Sequence, residues 1–316
     1  MSSKPVSATI LAREVRLARD TSHISVVLCA DRNIEVGLHV TLYSLLESSC
    51  HRIRINLVLK NYNSRDLGKI YNTLEPFKGR YELCIVEADD SLFAKCRGLH
   101  GNKFAYMKLI LPEFLDDDRV IYLDSDLIVR RDLSELFNLD LRGHIVAARA
   151  SANIEWQLER KFFTSLGMNE KAKFFNSGVL LIDLQQWRAL GIREKCFEFI
   201  EKYPRELIGH DQTVLNWVFY ENQFFELDSS YNQPLYSTEP MMPLPPGTIF
   251  HFVGSPKPWD FLGEMLHANY PVFQGVLCNT AFRSYRSYHG LTFSKAKRTF
   301  MLGRSYFYCI KRSFGI

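Results

Sequence analysis

The sequence has no apolar run that approaches the roughly 18 residues a membrane-spanning helix needs. Its first twenty residues, MSSKPVSATILAREVRLARD, also lack the continuous apolar centre of a secretory signal. The seven cysteines are scattered without the close pairs of a metal site, and several lie inside apolar, strand-like stretches. We therefore expect a reduced, cytoplasmic protein.

Acidic residues are missing from the end of the chain. No Asp or Glu follows Glu264, whereas eight of the 39 basic residues do. The first 264 positions therefore hold 31 basic residues and all 35 acidic ones. A slightly acidic body is thus followed by a strongly basic tail, and the tail is the charged feature of the molecule.

The body alternates predicted strands and helices, and its 47% hydrophobic residues are typical of a globular protein. The alternation predicts an α/β fold with a mostly parallel central sheet flanked by helices. In such sheets ligands bind beyond the carboxyl ends of the strands, where Asp31 and Asp124 fall. The predicted strands are 23–30, 52–59, 81–88, 119–124, 144–149 and 177–184. The predicted helices are an amphipathic helix at 35–48, one that begins at Asn63, and others at 102–115, at 155–166 and through Trp187.

Two carboxylates, Asp124 and Asp126, interrupt the aliphatic stretch VIYLDSDLIVRRDL. Side chains alternate along a strand, so both acids would point to one side and could bind one cation. The acids at 116–118 share this spacing, but they fall between a helix and a strand, as a solvated turn would. Burial penalises unpaired charge, so we favour a metal over the alternative of ion pairs with Arg130 or Arg131.

A third ligand candidate, His251, follows a short apolar run in IFHFVGSPKPWD. Gly254 permits a close backbone approach, and Lys257 lies between two prolines, a stiff setting for a cation directed at phosphate. A lone histidine is more often a solvated or satisfied residue, but these neighbours favour a ligand. Two carboxylates with an imidazole favour Mn²⁺ as the bound metal, and Mg²⁺ is the alternative.

Five segments in order resemble glycosyltransferase family 8: CADRNIEVGLHVTLYSLL, YLDSDLIVRRDLSELF, FFNSGVLLIDLQQW, GHDQTVLNWVF and HFVGSPKPW. The resemblance covers about residues 23–262. It implies a retaining enzyme of the GT-A (nucleotide-diphospho-sugar transferase) fold, similar to bacterial galactosyl- and glucosyltransferases of lipopolysaccharide synthesis. We expect the transferase domain at 22–265 and the basic, aromatic tail at 266–316.

The resemblance implies a role for each matching residue. Asp124, Asp126 and His251 would bind Mn²⁺, and Asp211 and Gln212 would be the catalytic residues beside the reacting carbon. UDP would contact Ala30, Asp31, Asn33, Ser125, Gly254 and Lys257. The donor sugar or the acceptor would contact Asn153, Asn176 and Lys108. Without the resemblance, Asn176 would be interpreted as a turn residue and Asp211 as a helix cap.

Two positions depart from the family pattern. Relatives often carry an arginine that contacts the donor in a "YxR" segment, whereas YMKL places Met107 there, with Lys108 beside it. Asn153 stands where some relatives have an aspartate facing the sugar. Both positions touch the sugar in relatives, so the hexose is left open.

The resemblance implies transfer of a hexose, galactose or glucose, from a UDP-sugar to a saccharide or lipid-linked saccharide. Asp211 is the only acid expected near the anomeric carbon and Gln212 is a poor nucleophile, so we expect same-face displacement. A sugar-nucleotide-binding protein without activity is the main alternative, but it should have lost a metal or phosphate ligand. A nucleotidyltransferase should have a glycine-rich phosphate loop, and CADRNIEVG has one glycine. We expect no nucleic-acid partner.

The basic tail carries a seven-residue repeat. Phe293, Phe300, Phe307 and Phe314 share this interval, as do Lys297, Arg304 and Lys311. On a helix the repeat forms an aromatic stripe beside a basic one. We expect residues about 281–316 to bind an anionic membrane surface on its inner face, with packing on the body as the alternative.

Overall fold

The computed structural model describes residues 8–13, 23–98, 103–221, 223–241, 243–288 and 293–313. The strands are β1 (Ala8–Arg13), β2 (Ile24–Asp31), β3 (Ile53–Lys60), β4 (Tyr81–Ala88), β5 (Arg119–Leu123), β6 (Leu127–Val129), β7 (Val146–Asn153), β8 (Lys173–Asp183), β9 (Phe224–Glu226), β10 (Gln233–Tyr236) and β11 (Ile249–Val253).

The α-helices are α1 (Glu35–Ser48), α2 (Ser64–Leu74), α3 (Ser134–Phe137), α4 (Arg160–Ser165), α5 (Leu184–Ala189), α6 (Ile192–Lys202), α7 (Asp211–Val218), α8 (Gly263–Leu266), α9 (Tyr270–Leu277), α10 (Phe293–Met301) and α11 (Gly303–Ser313). Short 3₁₀ helices lie at Arg32–Ile34, Glu75–Phe77, Ser91–Phe93, Phe104–Glu113, Ile154–Trp156 and Ser229–Tyr231.

The strands form a large and a small sheet. The large sheet has the order β1-β4-β3-β2-β5-β8-β7-β9, and the small one has the order β10-β11-β6. Among the described strands of the large sheet, four of seven pairings are parallel, and β8 runs antiparallel to both neighbours. The predicted α/β class, with a central sheet flanked by helices, is confirmed.

Apolar cores cover both faces of the large sheet. One core joins the sheet to α5, α6, α7 and the 3₁₀ helix Phe104–Glu113, and the other joins it to α1 and α2. Every residue of β2 is buried, as expected for a central parallel strand covered on both faces. A third core packs α1 against the small sheet and α9.

Three predicted helices differ from the structure. Within the predicted helix 102–115, Phe104–Glu113 forms a 3₁₀ helix with non-helical dihedral angles at Ile110, and Pro112 removes a backbone donor there. The polar segment 155–166 holds a 3₁₀ turn and the short α4. Helix α1 is present at 35–48 but is buried on almost all sides, because it lies between the large sheet and the small sheet.

The tail forms two helices, α10 and α11, rather than one long helix. Leu302, Tyr306 and Cys309 are buried against α8, and the Tyr306 hydroxyl donates to the carbonyl of Phe261 at 2.8 Å. The aromatic stripe faces the other way, with Phe300 88% and Phe307 56% exposed. Phe314 lies outside the described residues. No helix in the described part of the chain is long and apolar enough to span a bilayer.

Gly37 of α1 allows the Asp124–Asp126 loop to approach the helix closely. A Cβ there would lie 2.5 Å from the Ser125 carbonyl oxygen and 2.6 Å from the Trp259 ring, whereas a Cβ at Gly68 of α2 meets nothing within 4 Å. We expect Gly37→Ala to lower the free energy of unfolding by about 1–3 kcal/mol through overpacking. Gly68→Ala should raise it by about 0.5–1 kcal/mol. Urea unfolding measures both, and equal shifts would contradict the close approach.

Candidate active site

Asp124 and Asp126 lie in the turn between β5 and β6. Because β5 ends at Leu123 and β6 begins at Leu127, this turn brings the acids together, and the expected strand alternation does not apply. The turn is held by hydrogen bonds to three strands. The Asp124 amide donates to Gly178 of β8 at 2.8 Å, the Ser125 hydroxyl to Cys29 of β2 at 3.2 Å, and the Phe252 amide of β11 to Asp126 at 3.0 Å.

His251 reaches the same point from β11. Its Nε2 lies 3.1 Å from Asp126 Oδ1 and 3.7 Å from Asp124 Oδ2. One ligand atom from each of the three residues falls within 4.8 Å of the other two. The structure therefore brings together the three residues that the sequence proposes as metal ligands.

The chemistry of this centre fits a cation. Among the described residues, Asp126 Oδ1 is buried without a hydrogen-bond partner, although the His251 ring nitrogen is close. Two carboxylates and an imidazole that converge on one point are typical of metal ligands. Asp124 is the most open of the three, with 28% of its side chain exposed.

Two lysines lie against the carboxylates. Lys257 Nζ is 2.6 Å from Asp126 Oδ2, and Lys108 Nζ is 3.3 Å from Asp124 and 2.8 Å from Asp211. Among the described side chains here, three carboxylates thus face two ammonium groups and the His251 imidazole, so one negative charge is left for a cation to balance when His251 is neutral. The alternative ion pairs do not occur, since Arg130 is exposed and Arg131 pairs with Glu135.

The charges also shift the pKa values. Burial raises the pKa of Asp126, but Lys257 and His251 outweigh this effect and hold it well below its usual range. Burial lowers the pKa of Lys108, but Asp124 and Asp211 outweigh it and hold the pKa above its ordinary value. Asp126 is therefore ionised and Lys108 protonated at neutral pH.

Asp211 and Gln212 begin α7 and are tied to β8 through Ser177. The Ser177 hydroxyl donates to Asp211 Oδ2 at 2.8 Å, and its amide donates to Gln212 Oε1 at 3.1 Å. Farther along α7, Asn216 bonds both backbone groups of Phe175. These bonds fix the start of α7 beside the carboxylate centre.

The residues expected to bind UDP lie at the same edge of the sheet. Ala30 and Asp31 end β2, which runs parallel to β5 with Leu28 opposite Leu123. Asn33 donates to both oxygens of Asp31, at 2.9 and 2.8 Å, so these side chains form one rigid unit. On the other side, Gly254 follows β11 with φ of 79°, a conformation that favours glycine.

The three residues expected at the sugar have different surroundings. Asn176 lies in β8 and accepts from Asn232 at 2.8 Å, next to His251. Lys108 is only 2% exposed and lies beneath Asp124 and Asp211, and Met107 is fully buried in the core. Asn153 ends β7 opposite Lys173 and accepts a bond from Gln157 through its carbonyl.

Two residues of the site, Asn232 and Tyr122, were not predicted from the sequence. Asn232 Oδ1 lies 3.0 Å from His251 Nδ1, and the Tyr122 hydroxyl donates to Asp124 at 2.7 Å. Asn232 lies far from every motif in the chain, so only the fold reveals it. Tyr122 belongs to the strand before Asp124, where its ring looks like any core residue.

The fold defines the class of the protein. A crystal structure described as galactosyltransferase LgtC in complex with donor and acceptor sugar analogs has the same fold, with a TM-score of 0.69 over 81% of this chain and 96% of that chain. The two sequences are 24% identical, so this likeness shows the fold alone. The protein therefore has the GT-A fold.

The chain belongs to glycosyltransferase family 8, because the family model described as "Glycosyl transferase family 8" matches residues 25–263. General stress protein A of Bacillus subtilis is 30% identical over 74% of this chain and 87% of that protein. Lipopolysaccharide 1,3-galactosyltransferase of Salmonella typhimurium is 24% identical over 82% of this chain and 78% of that protein. Four longer streptococcal glycosyltransferases match over 38%, 57%, 21% and 36% of their length. The protein is a glycosyltransferase by family.

Asn232 should set the orientation of the His251 ring. We expect Asn232→Ala to weaken Mn²⁺ binding by about 10–100-fold, the usual effect of removing the hydrogen-bond partner of a metal-binding histidine. Asn138→Ala, which removes a surface bond to Ser134, should leave Mn²⁺ affinity unchanged. Titration of Mn²⁺ followed by its paramagnetic resonance signal measures both. Equal affinities in the two variants would contradict the role of Asn232.

Proposed function

We propose that this glycosyltransferase moves a hexose, galactose or glucose, from a UDP-sugar to a saccharide or lipid-linked saccharide acceptor in a Mn²⁺-dependent reaction. The observation that carries the proposal is the convergence of Asp124, Asp126 and His251 beside the Asp31–Asn33 unit. The relative named as a lipopolysaccharide galactosyltransferase supports galactose and a lipid-linked acceptor. A structure of the same fold was solved with donor and acceptor sugar analogs, which is consistent with a sugar donor at this site.

Asp124, Asp126 and His251 would hold the metal, and the imidazole favours Mn²⁺ over Mg²⁺. A bound divalent cation neutralises the charge that develops on a leaving diphosphate. Lys257 would exchange its bond with Asp126 for one with a phosphate oxygen, and Gly254 would let the backbone approach the phosphates. Asp31 would accept hydrogen bonds from the nucleoside, and Asn33 would donate hydrogen bonds to it.

We favour same-face displacement over a covalent intermediate. Asp211 Oδ2 already accepts bonds from Ser177 and Lys108, each at 2.8 Å, and only 8% of its side chain is exposed. A carboxylate oxygen engaged by two donors is a weak nucleophile. Asp211 would instead stabilise positive charge at the reacting carbon, with Gln212 beside it. A trapped glycosyl–Asp211 adduct would contradict this mechanism.

The tail supports attachment to an anionic membrane. Its docking face is Leu302, Tyr306 and Cys309, so the opposite face is left to solvent. That opposite face presents apolar and basic side chains together: Phe300, Met301, Phe307, Tyr308, Ile310, Lys297, Arg304 and Lys311. Met265 of α8, the helix that packs against α11, is a further exposed apolar side chain near the tail, at 71% exposure. Exposed aromatic side chains beside basic ones are typical of helices that bind the surface of an anionic membrane.

Removing a metal ligand should remove turnover. We expect Asp124→Ala and Asp126→Ala to lower Mn²⁺-dependent release of UDP from UDP-galactose or UDP-glucose by about 100-fold or more, because each deletes a direct ligand. Asp118→Ala changes an exposed carboxylate and should keep full activity. Circular dichroism checks that the variants are folded.

Two results would contradict the proposed function. Full activity in the presence of a chelator would exclude the metal centre. Binding of UDP-sugars by wild-type protein without release of UDP, across a panel of saccharide and lipid-linked acceptors, would instead favour the sugar-nucleotide-binding alternative.

The exposed stripe, rather than the whole tail, should bind lipid. We expect Phe300→Ser with Phe307→Ser to reduce binding to vesicles of anionic lipid while the docked face of α11 stays intact. Binding of wild-type protein should fall at high salt, since basic residues contribute about 1 kcal/mol each at low salt. Leu190→Ser, a substitution of an exposed residue on the body, is the control. Unchanged co-sedimentation of the double variant would contradict membrane docking.

A further inference from the structure

A strained turn immediately precedes the two residues expected to be catalytic. Residues 209–212 form a β-turn closed by a bond of 3.1 Å from the Gln212 amide to the Gly209 carbonyl. His210 occupies its first central position with φ of 57° and ψ of −121°. These are the angles of a type II′ turn, in which that position is usually glycine. A histidine there is strained, so the surrounding structure must hold the turn in place.

Glu159 binds the first residue of this turn and the residue that follows the turn. Its Oε1 accepts from the Gly209 amide at 2.9 Å and also from the Thr213 hydroxyl. Thr213 in turn accepts from Gly209 at 3.0 Å. Glu159 is 5% and Thr213 0% exposed, so water does not compete for these bonds.

We infer that Glu159 is a positioning residue that, with Thr213, holds the turn before α7 and thereby orients Asp211 and Gln212 for transfer. The inference rests on the proposed roles of Asp211 and Gln212. Ser177 holds these two side chains from β8, and Glu159 holds the residues that flank them, Gly209 through its amide and Thr213 through its hydroxyl. We call Glu159 and Thr213 together the clamp. Loss of its hydrogen bonds would let the turn relax and would shift the Asp211 and Gln212 side chains relative to the carboxylate centre.

The burial of Glu159 and its hydrogen bonds have opposite effects on its pKa. Burial raises the pKa of Glu159, and the bonds from Gly209 and Thr213 partly offset that effect. Burial of a carboxylate is costly unless it is hydrogen-bonded, and Gly209 and Thr213 supply such bonds to Glu159. A buried acid could also be a purely structural feature, so the test must separate geometry at the reacting carbon from stability.

The test compares two identical substitutions at buried, hydrogen-bonded threonines. Thr213→Val removes the hydroxyl of the clamp. Thr73→Val removes a hydroxyl that lies 2.6 Å from His39 and accepts from Ala281, away from the site. We expect Thr213→Val and Glu159→Gln to lower kcat for Mn²⁺-dependent UDP release from UDP-galactose or UDP-glucose by about 10–100-fold, since misplaced catalytic groups cost this much.

The affinity for UDP, measured by calorimetry, should stay at the wild-type value in both clamp variants, because Asp31, Asn33 and Lys257 are untouched. Thr73→Val should keep wild-type kcat, and Thr213→Ser should restore it. Hydrogen exchange at the Gly209 and Gln212 amides should be faster in Glu159→Gln. If Glu159→Gln does not fold, the Thr213→Val and Thr213→Ser pair decides the question.

Wild-type kcat in Thr213→Val would overturn the inference. So would a loss of UDP affinity in parallel with kcat, or an equal loss of kcat in Thr73→Val, because these would indicate general destabilisation. If the wild-type protein turns over neither UDP-sugar, the proposed function fails instead. Hydrogen exchange at Gly209 and Gln212 then still tests the clamp, and unchanged exchange would overturn it.

Discussion

The site depends on neutralising the negative charge of three carboxylates that lie close together at one edge of the large sheet. Asp124, Asp126 and Asp211 have at most 28% of their side chains exposed, and each needs a cation nearby. Lys108 neutralises the inner side of the cluster and Lys257 its outer side. The negative charge that remains beside a neutral His251 imidazole is what would attract a divalent cation, and with it the diphosphate, under the proposed function.

Close backbone approach makes that cluster possible. Gly37 lets α1 touch the Ser125 carbonyl, and a Cβ at Gly178 would lie 2.4 Å from the His251 ring. The strands β2, β8 and β11 each hold the loop through one hydrogen bond. The ligands therefore come from distant segments, yet their geometry is set by the sheets and not by a flexible loop.

Much of this could be predicted from sequence, because short motifs carry the chemistry and strand ends share an edge. The candidate ligands Asp124, Asp126 and His251 and the N-cap of α2 at Asn63 follow from such local patterns. Asn232, Glu159 and the buried place of Lys108 could not be predicted, since each depends on a contact between segments remote in sequence. The type II′ turn at His210 could not be predicted either, because such turns usually have glycine where this chain has histidine.

The most direct test of the central claim is anomalous diffraction from crystals grown with Mn²⁺ and UDP. The account predicts one manganese peak bound by Asp124, Asp126 and His251, with the Lys257 ammonium moved from Asp126 to the diphosphate. UDP bound without a peak at these residues, and with Lys257 still on Asp126, would contradict it.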